Sequence, residues 1–465
     1  MSLQIIILAA GKGTRFHSKT AKVLHLLGGK PLLQHVIETA LALSPNLEPI
    51  IVYGFQGEQL QMQLGHFPVR WVGQSEPLGT AHAVLQTLPL ISDGDQVLIL
   101  YGDVPLITAA TLRAFVDQTP PENLGLLTAI LPDPYGYGRI DRDQQKQIRA
   151  VIEDKDTNAI TAQICEINSG IYVMPAHFIK TNLSKLTTKN AQQEYYLTDL
   201  IHLAYRQNIA IHGTVLQRYE EIQGVNDRLQ LAHLERLYQL RLANQLMQQG
   251  VTLYDPNRFD IRGEAKIGQD VTIDVNVILE GRVIIGNHCY IGPGVYLRHT
   301  VIGDHVEIKA NSVIDGAEIG SHAVVGPFAR LRPGTVLDLG VHIGNFVEVK
   351  NSEVGANSKV NHLSYIGDSE IGKRVNIGAG TITCNYDGMN KYKTIIEDET
   401  HIGSDTQLVA PVKIGKGATI GAGSTITKDV VPDQLTVTHR LDQRIIPAWE
   451  RPGMANRQPD EDELN

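Results

Sequence analysis

Cysteine is scarce in this 465-residue chain: Cys165, Cys289 and Cys384 stand far apart, and no CxxC pair exists. That argues against a disulfide framework or a cysteine-ligated zinc site and fits a reducing compartment. Basic excess is also missing. The formal net charge is −9, whereas a nucleic-acid binder normally shows a positive stripe. No stretch approaches the ~20 apolar residues that a membrane-spanning helix needs. The first apolar run is short and flows into a glycine loop, without the basic-then-apolar layout of a secretory leader. A cytoplasmic protein that partners neither nucleic acid nor membrane is expected. What is present is an ordinary globular balance, 42% apolar and 20% charged, over a length that calls for two or three domains.

Two textures meet near residue 250. Before about residue 225, continuous apolar runs such as "QIIILAA", "EPIIVYG", "DQVLILYGD", "LGLLTAIL" and "SGIYVMP" read as strands buried on both faces. Between them, "PLLQHVIETALAL" and "TAHAVLQTLPL" carry apolar residues at helical spacing. The alternation predicts a Rossmann-like α/β domain with a mostly parallel sheet over residues 1–225, binding its ligand at the carboxyl ends of the strands. Residues 226–250 predict a linker helix, with Leu231, Leu234, Leu237, Leu242 and Leu246 near one stripe and Gly250 as its stop.

From residue 261 an aliphatic residue recurs every six positions, beginning Ile261, Ile267, Ile273, Leu279, Ile285, Ile291 and Leu297. The register slips by one at intervals but persists to Ile426, and many of these aliphatics precede glycine. This is the pattern of a hexapeptide β-helix, three hexads to a coil with aliphatic side chains stacked inside. The expected domain spans 251–449. Residues 379–400 lack hexad spacing and predict a loop thrown out from a corner. The tail, 450–465, is polar and predicts disorder.

The loop "LAAGKGTRF", residues 8–16, fits neither a Walker loop nor a dinucleotide fingerprint, since Phe16 stands where a third glycine belongs. What remains is GxGTR with Lys22 seven residues after Arg15. Gly11 and Gly13 would let backbone N–H groups approach a phosphate, and Arg15 and Lys22 would add positive charge for a polyphosphate. A plain glycine turn is equally compatible with these residues alone.

"LAAGKGTRF" together with "KVLHLLGGKPLLQHVI" closely resembles the signature of sugar-phosphate nucleotidylyltransferases, although Ala21 replaces the usual proline before the lysine. The resemblance implies that Leu8, Ala9, Ala10 and Gly11 hold a nucleotide and that Arg15 and Lys22 assist at the reacting phosphates. "GQSEPLGTAHAV" resembles the base-recognition segment, assigning Gln74, Gly79 and Thr80. "ILYGDVPL" brings Tyr101 and Gly102 to the nucleotide and Asp103 to Mg²⁺, with Asn226 of "GVNDR" as second metal ligand. "YGRI", "VIEDKD" and "EINSGIYV" look like sugar-contacting segments and bring in Gly138, Glu153 and Asn168.

The second half carries "FARLRPG", "FVEVKNS", "VNHLSYIG" and "NIGAGTITCNYDG", which place unusual polar residues on a plain scaffold. With the first half, they resemble the bifunctional N-acetylglucosamine-1-phosphate uridylyltransferase/glucosamine-1-phosphate acetyltransferase family over about residues 3–440. That resemblance implies a left-handed parallel β-helix and a cytoplasmic homotrimer. Its co-substrates are acetyl-CoA and UTP, and its product feeds cell-wall peptidoglycan synthesis and cell shape. His362 is then the base that accepts the amine proton. Arg332 and Lys350 hold the sugar phosphate, while Tyr365, Asn376, Asn385 and Tyr386 contact the sugar and acetyl group. Ala379, Ser404, Ala422 and Arg440 lie along the coenzyme path. A single-activity nucleotidylyltransferase with a structural β-helix and a non-catalytic scaffold are the rival readings. The length of the repeat region and His362 speak against the first, and Arg15, Lys22, Asp103 and Asn226 against the second.

Overall fold

The computed structural model describes residues 2–11, 13–54 and 56–438. These fall into two compact units, one of residues 2–305 with 309–311 and one of 306–308 with 312–438.

The first unit opens with a sheet whose apolar runs form strands β1 (Leu3–Ala9), β2 (Ile50–Tyr53), β3 (Arg70–Gly73), β4 (Gln96–Tyr101), β5 (Leu124–Ile130), β6 (Glu166–Pro175) and β7 (Ile211–Leu216). Their order is β7-β5-β6-β4-β1-β2-β3. All pairings along it are parallel except those of β6, which runs antiparallel to both neighbours. Ile5, Ile6 and Ile7 are completely buried, as a strand covered on both faces requires. After β1 the order extends to one side through β2, whereas β4 pairs on the other, with Leu8 opposite Tyr101. The loops leaving β1 and β4 therefore emerge side by side at a switch in strand order, where open sheets of this class bind ligands.

The linker helix runs Arg228–Gln248 and is capped by Asp227, whose side chain accepts from the Gln230 N–H. Its buried positions are Leu234, Gln239, Ala243 and Leu246, so an amide and a small residue replace part of the expected leucine stripe. Leu234 packs with Phe16, Leu27, Leu32, Leu106 and Val225. A hairpin of Leu26–Leu27 with Lys30–Pro31 turns at Gly28–Gly29 against this helix. Gly28 has a φ of +54°, and a Cβ there would fall 2.2 Å from the Tyr238 ring, so only glycine fits. The Gly28 N–H donates to Glu235 Oε2 at 2.8 Å. Gln239 exchanges two hydrogen bonds with the backbone of Ile261, each 2.8 Å, taking the place of a neighbouring strand. Because the helix joins hairpin and first coil in this way, the compact units do not part at the change of texture near residue 250.

In the first unit the β-helix begins with Leu253, Ile273 and Ile291 stacked along one face. In the second, Val325, Ile343, Val360, Ile377, Ile402 and Ile420 stack in turn. Leu331, Val349 and Ile366 form a second inward file, and Leu337, Val354, Ile371, Ile396 and Ile414 a third. All of these aliphatic side chains are buried. The expected loop at 379–400 is narrower than its lost spacing suggested. Strands Ile382–Cys384 and Thr394–Ile396 continue the coil, with Thr383 buried where an aliphatic is usual and its hydroxyl accepting from the Gly367 N–H at 2.8 Å. A polar residue at an inward position hid the period. The excursion proper lies between these strands and is braced by a bridge from Tyr386 to Lys391. Arg440, the end of the expected β-helix domain (439–449) and the tail 450–465 lie outside the described residues.

Candidate functional site

At the carboxyl ends of β1 and β4 a cavity of about 520 Å³ opens. Leu8, Ala9, Ala10, Gly11, Lys22, Gln74, Gly79, Thr80, Tyr101, Asp103 and Asn226 all line it, drawn from five separate stretches of sequence. The Lys22 ammonium bonds the Asp103 carboxylate and lies 3.3 Å from Asn226 Oδ1. One cation is thus held by a carboxylate and an amide oxygen. The backbones that carry both oxygens are fixed from behind. The Asp103 carbonyl accepts from the Val225 N–H at 2.9 Å, and the Asn226 N–H donates to Gln230 Oε1 at 2.7 Å. Asn226 also immediately precedes the cap of the linker helix, so folding of that helix places it.

Beyond the cavity's rim, Gly138, Glu153 and Asn168 converge. The Asn168 N–H donates to the Gly138 carbonyl at 2.8 Å, and a Cβ on Gly138 would stand 3.5 Å from both Asn168 Cβ and Glu153 Oε2. Burial pushes the Glu153 carboxyl above its usual range, the Thr198 hydroxyl bond pulls the other way, and the charges of Asp156, Asp199 and Asp154 add to the rise. The Tyr101 hydroxyl is held well above the ordinary phenol range by burial and by the charges of Glu153 and Asp103, so it stays a neutral donor. Gly102 is buried behind the lining, its N–H donating to the Leu8 carbonyl at 2.9 Å. Arg15 is exposed on the single turn Thr14–Phe16 and does not line the cavity. Thr14 of the GxGTR turn and Glu194 do line it, the latter with no motif to signal it.

The β-helix of the second unit carries its unusual polar residues at two corners. At one corner, successive coils place His362, Ala379, Ser404 and Ala422 in file. The Gly380 N–H donates to the His362 carbonyl, the Asp405 N–H to that of Ala379 and the Gly423 N–H to that of Ser404, at 3.2, 2.7 and 2.7 Å. His362 is exposed, and its Nδ1 lies 3.0 Å from Asn345 Oδ1 on the preceding coil. An amide oxygen only accepts, so Nδ1 carries a proton, and in the neutral imidazole Nε2 is the acceptor. Asn345 was not legible in the sequence, because its partner lies 17 positions away across a parallel ladder.

At the next corner Arg332 and Lys350 sit on adjacent coils, and Arg332 pairs with Glu348 at 2.8 Å. Lys350 is pushed below the ordinary lysine range by its hydrogen bond with Lys391, by the Lys391 charge and then by desolvation and Arg332, with Asp368 opposing. Lys391, on the loop excursion, is a further cation that the motifs did not single out. Burial would raise the Asp368 carboxyl, but amide bonds from Asn351 and Asn385 and the two lysine charges hold it below the usual range. Tyr365 occupies the strand between the two corners. Tyr386 is exposed on the excursion, and Asn376 Nδ2 stands 3.4 Å from a ring nitrogen of His401. This face can hold a phosphate at one edge and offer a base at the other.

Residues 5–160 match the MobA-like NTP transferase domain, residues 261–343 the GMPPB C-terminal domain, and residues 393–428 the bacterial transferase hexapeptide family of six repeats. The bifunctional protein GlmU of Methylococcus capsulatus is 52% identical over 459 residues, covering 98% of this chain and 99% of its own. The chain belongs to the GlmU family. A second member, from Alkalilimnicola ehrlichii, is 50% identical over 452 residues and 97% of each chain. The match with GlmU proteins runs unbroken through both textures, so nucleotidyl- and acyltransferase modules occur here in one polypeptide. Among the described residues no helix is long and apolar enough to cross a membrane.

Proposed function

We propose that the chain performs two sequential reactions of UDP-N-acetylglucosamine synthesis. In the β-helix, the amine of glucosamine 1-phosphate attacks the thioester carbonyl of acetyl-CoA. His362 Nε2 takes the amine proton and coenzyme A leaves as the thiol. Arg332, Lys350 and Lys391 hold the sugar phosphate, whose charge relieves the repulsion between the two lysines. Tyr365, Asn376, Asn385 and Tyr386 orient the sugar, and the file Ala379, Ser404 and Ala422 receives the coenzyme. In the α/β domain, a phosphate oxygen of N-acetylglucosamine 1-phosphate attacks the α-phosphorus of UTP, and pyrophosphate leaves. The attacking oxygen is already anionic, so positioning and charge neutralisation suffice.

The donor set fits Mg²⁺. Asp103 and Asn226 supply two hard oxygens already gathered around one cation, leaving other positions for phosphate and water. Among the described residues no cluster of three or more His, Cys, Asp or Glu competes for a softer metal. When bound, Mg²⁺ would lower the negative charge that opposes attack on the triphosphate. Lys22, moving from Asp103 to the phosphates, adds a second positive charge, and Arg15 a third from the exposed turn. The convergence of Lys22, Asp103 and Asn226 in one cavity carries this reading.

A cytoplasmic homotrimer serving cell-wall synthesis is part of the proposal. Phe328, Phe346 and Leu363 support the trimer, since all three are exposed at one corner with φ of 55°, 54° and 50°. A bulky residue in that backbone region is unfavourable, which points to a role beyond the coil itself.

The test follows thiol release and pyrophosphate release separately. Asp103→Ala and chelation by EDTA should abolish pyrophosphate release only, and His362→Ala thiol release only. A parent protein that releases pyrophosphate but never thiol would reduce the β-helix to a scaffold. Light scattering showing an active monomer would remove the trimer.

A further inference from the structure

Gln74 is buried at the cavity wall, and the resemblance of its segment implies that it reads the base. Its Nε2 donates to the Gly79 carbonyl at 3.2 Å and lies 3.0 Å from His82 Nδ1. A carbonyl accepts and never donates, so the Gly79 contact fixes which end of the amide faces inward. With both N–H groups turned to Gly79 and His82, Oε1 is the amide atom left to the cavity among the described residues.

His82 does not line the cavity. It sits on the short helix Thr80–Leu85, behind Gln74, with Gln86 Nε2 3.1 Å from its other ring nitrogen. A neutral imidazole has one acceptor nitrogen and one N–H, so it cannot accept from two amides at once. Each amide nitrogen is also tied to a carbonyl, Gln74 to Gly79 and Gln86 to His82 at 3.1 Å. Gln86 is half-buried at the helix surface, where solvent can take its second N–H, whereas among the described residues the buried Gln74 nitrogen has only Gly79 and His82. The ring therefore accepts from Gln74 at Nδ1 and carries its proton at Nε2, on the side open to the half-buried Gln86.

We infer that His82 is a positioning residue for base selection: by accepting from Gln74 it holds the Gln74 carbonyl toward the base and so selects a pyrimidine with N3–H over one with a bare N3. Uracil has that donor. Cytosine presents a lone pair at the same place, opposite the amide oxygen. Without an acceptor at the His82 position the second Gln74 N–H has no buried partner, and the amide can turn its nitrogen to the base instead.

The inference rests on Gln74 reading the base, and the experiment separates the two claims. Pyrophosphate release is measured on full-length protein with UTP and with CTP, and the ratio of kcat/KM is the readout. That ratio is insensitive to the fraction of protein folded. His82→Leu should lower the UTP preference by roughly 10-fold to 100-fold, the range that one misplaced buried polar partner commands. His82→Asn, whose amide oxygen can replace Nδ1 as acceptor, should restore it. If His82→Leu does not fold, His82→Ala makes the same test. An unchanged ratio in His82→Leu or His82→Ala, with a ratio lowered in Gln74→Ala, overturns the role of His82. An unchanged ratio in Gln74→Ala overturns the base-reading role itself.

Discussion

Lys22 bonds Asp103 and reaches Asn226, and this double hold makes its loss readable. Lys22→Met should lower pyrophosphate release by about 10²–10³-fold, the usual consequence of removing one preorganised charge from a transition state, while thiol release is unchanged. Glu153 offers a different measurement. Its carboxyl is raised by burial, ahead of neighbouring acidic charges, so the folded state binds its proton more tightly than the unfolded state. Stability then falls as pH rises through the ordinary carboxylate range, and the loss is complete above the raised value. Thermal melts should therefore find Glu153→Gln more stable than the parent at neutral pH, with the gap closing below about pH 4. Motif spacing was enough to bring out Lys22, which follows the glycine turn with a clear pattern, whereas Asp103 and Gln74 were assigned through the family resemblance of the segments that carry them. Asn345, Lys391 and Glu194 escaped because only folding brings them to a site, through a parallel ladder, a loop excursion and a cavity rim.

Elements that alternate in period were legible for the same reason that they fold. Two-face burial makes β1 and β4 continuous apolar runs, and the hexad repeat exposes the β-helix. The antiparallel course of β6 was not legible, since burial on both faces looks alike in either direction. The linker helix shows a second limit, because its buried face is settled by hydrogen bonding as much as by leucine. Gln239 pairs both backbone groups of Ile261. Gln239→Leu should leave them unpaired and cost about 2 kcal/mol or more, measured by urea unfolding. Gln239→Glu keeps an acceptor for the Ile261 N–H but sets a buried carboxylate against the Ile261 carbonyl and the Glu235 carboxylate, and should cost at least as much.

Across the whole molecule, catalysis in the first half depends on the segment that follows it. A fragment ending at residue 227 retains Asn226 but lacks the helix whose capping turn and Leu234 fix it. It should release little or no pyrophosphate, and a fragment ending at residue 250 should recover the reaction. Equal activity of the two would show that the helix only connects. The coils themselves carry a consequence for how such a chain can change length. Val325 pairs with Ile343, 18 positions on, and Ile343 with Val360, 17 positions on. Duplication or deletion of one such stretch of gene would yield a taller or shorter prism with every ladder re-formed. Shorter insertions have nowhere to go but outward at a corner. Growth by whole coils and ornament by loops are thus the two kinds of variation this half of the protein can absorb, and the lysine-bearing excursion near Tyr386 is already an instance of the second.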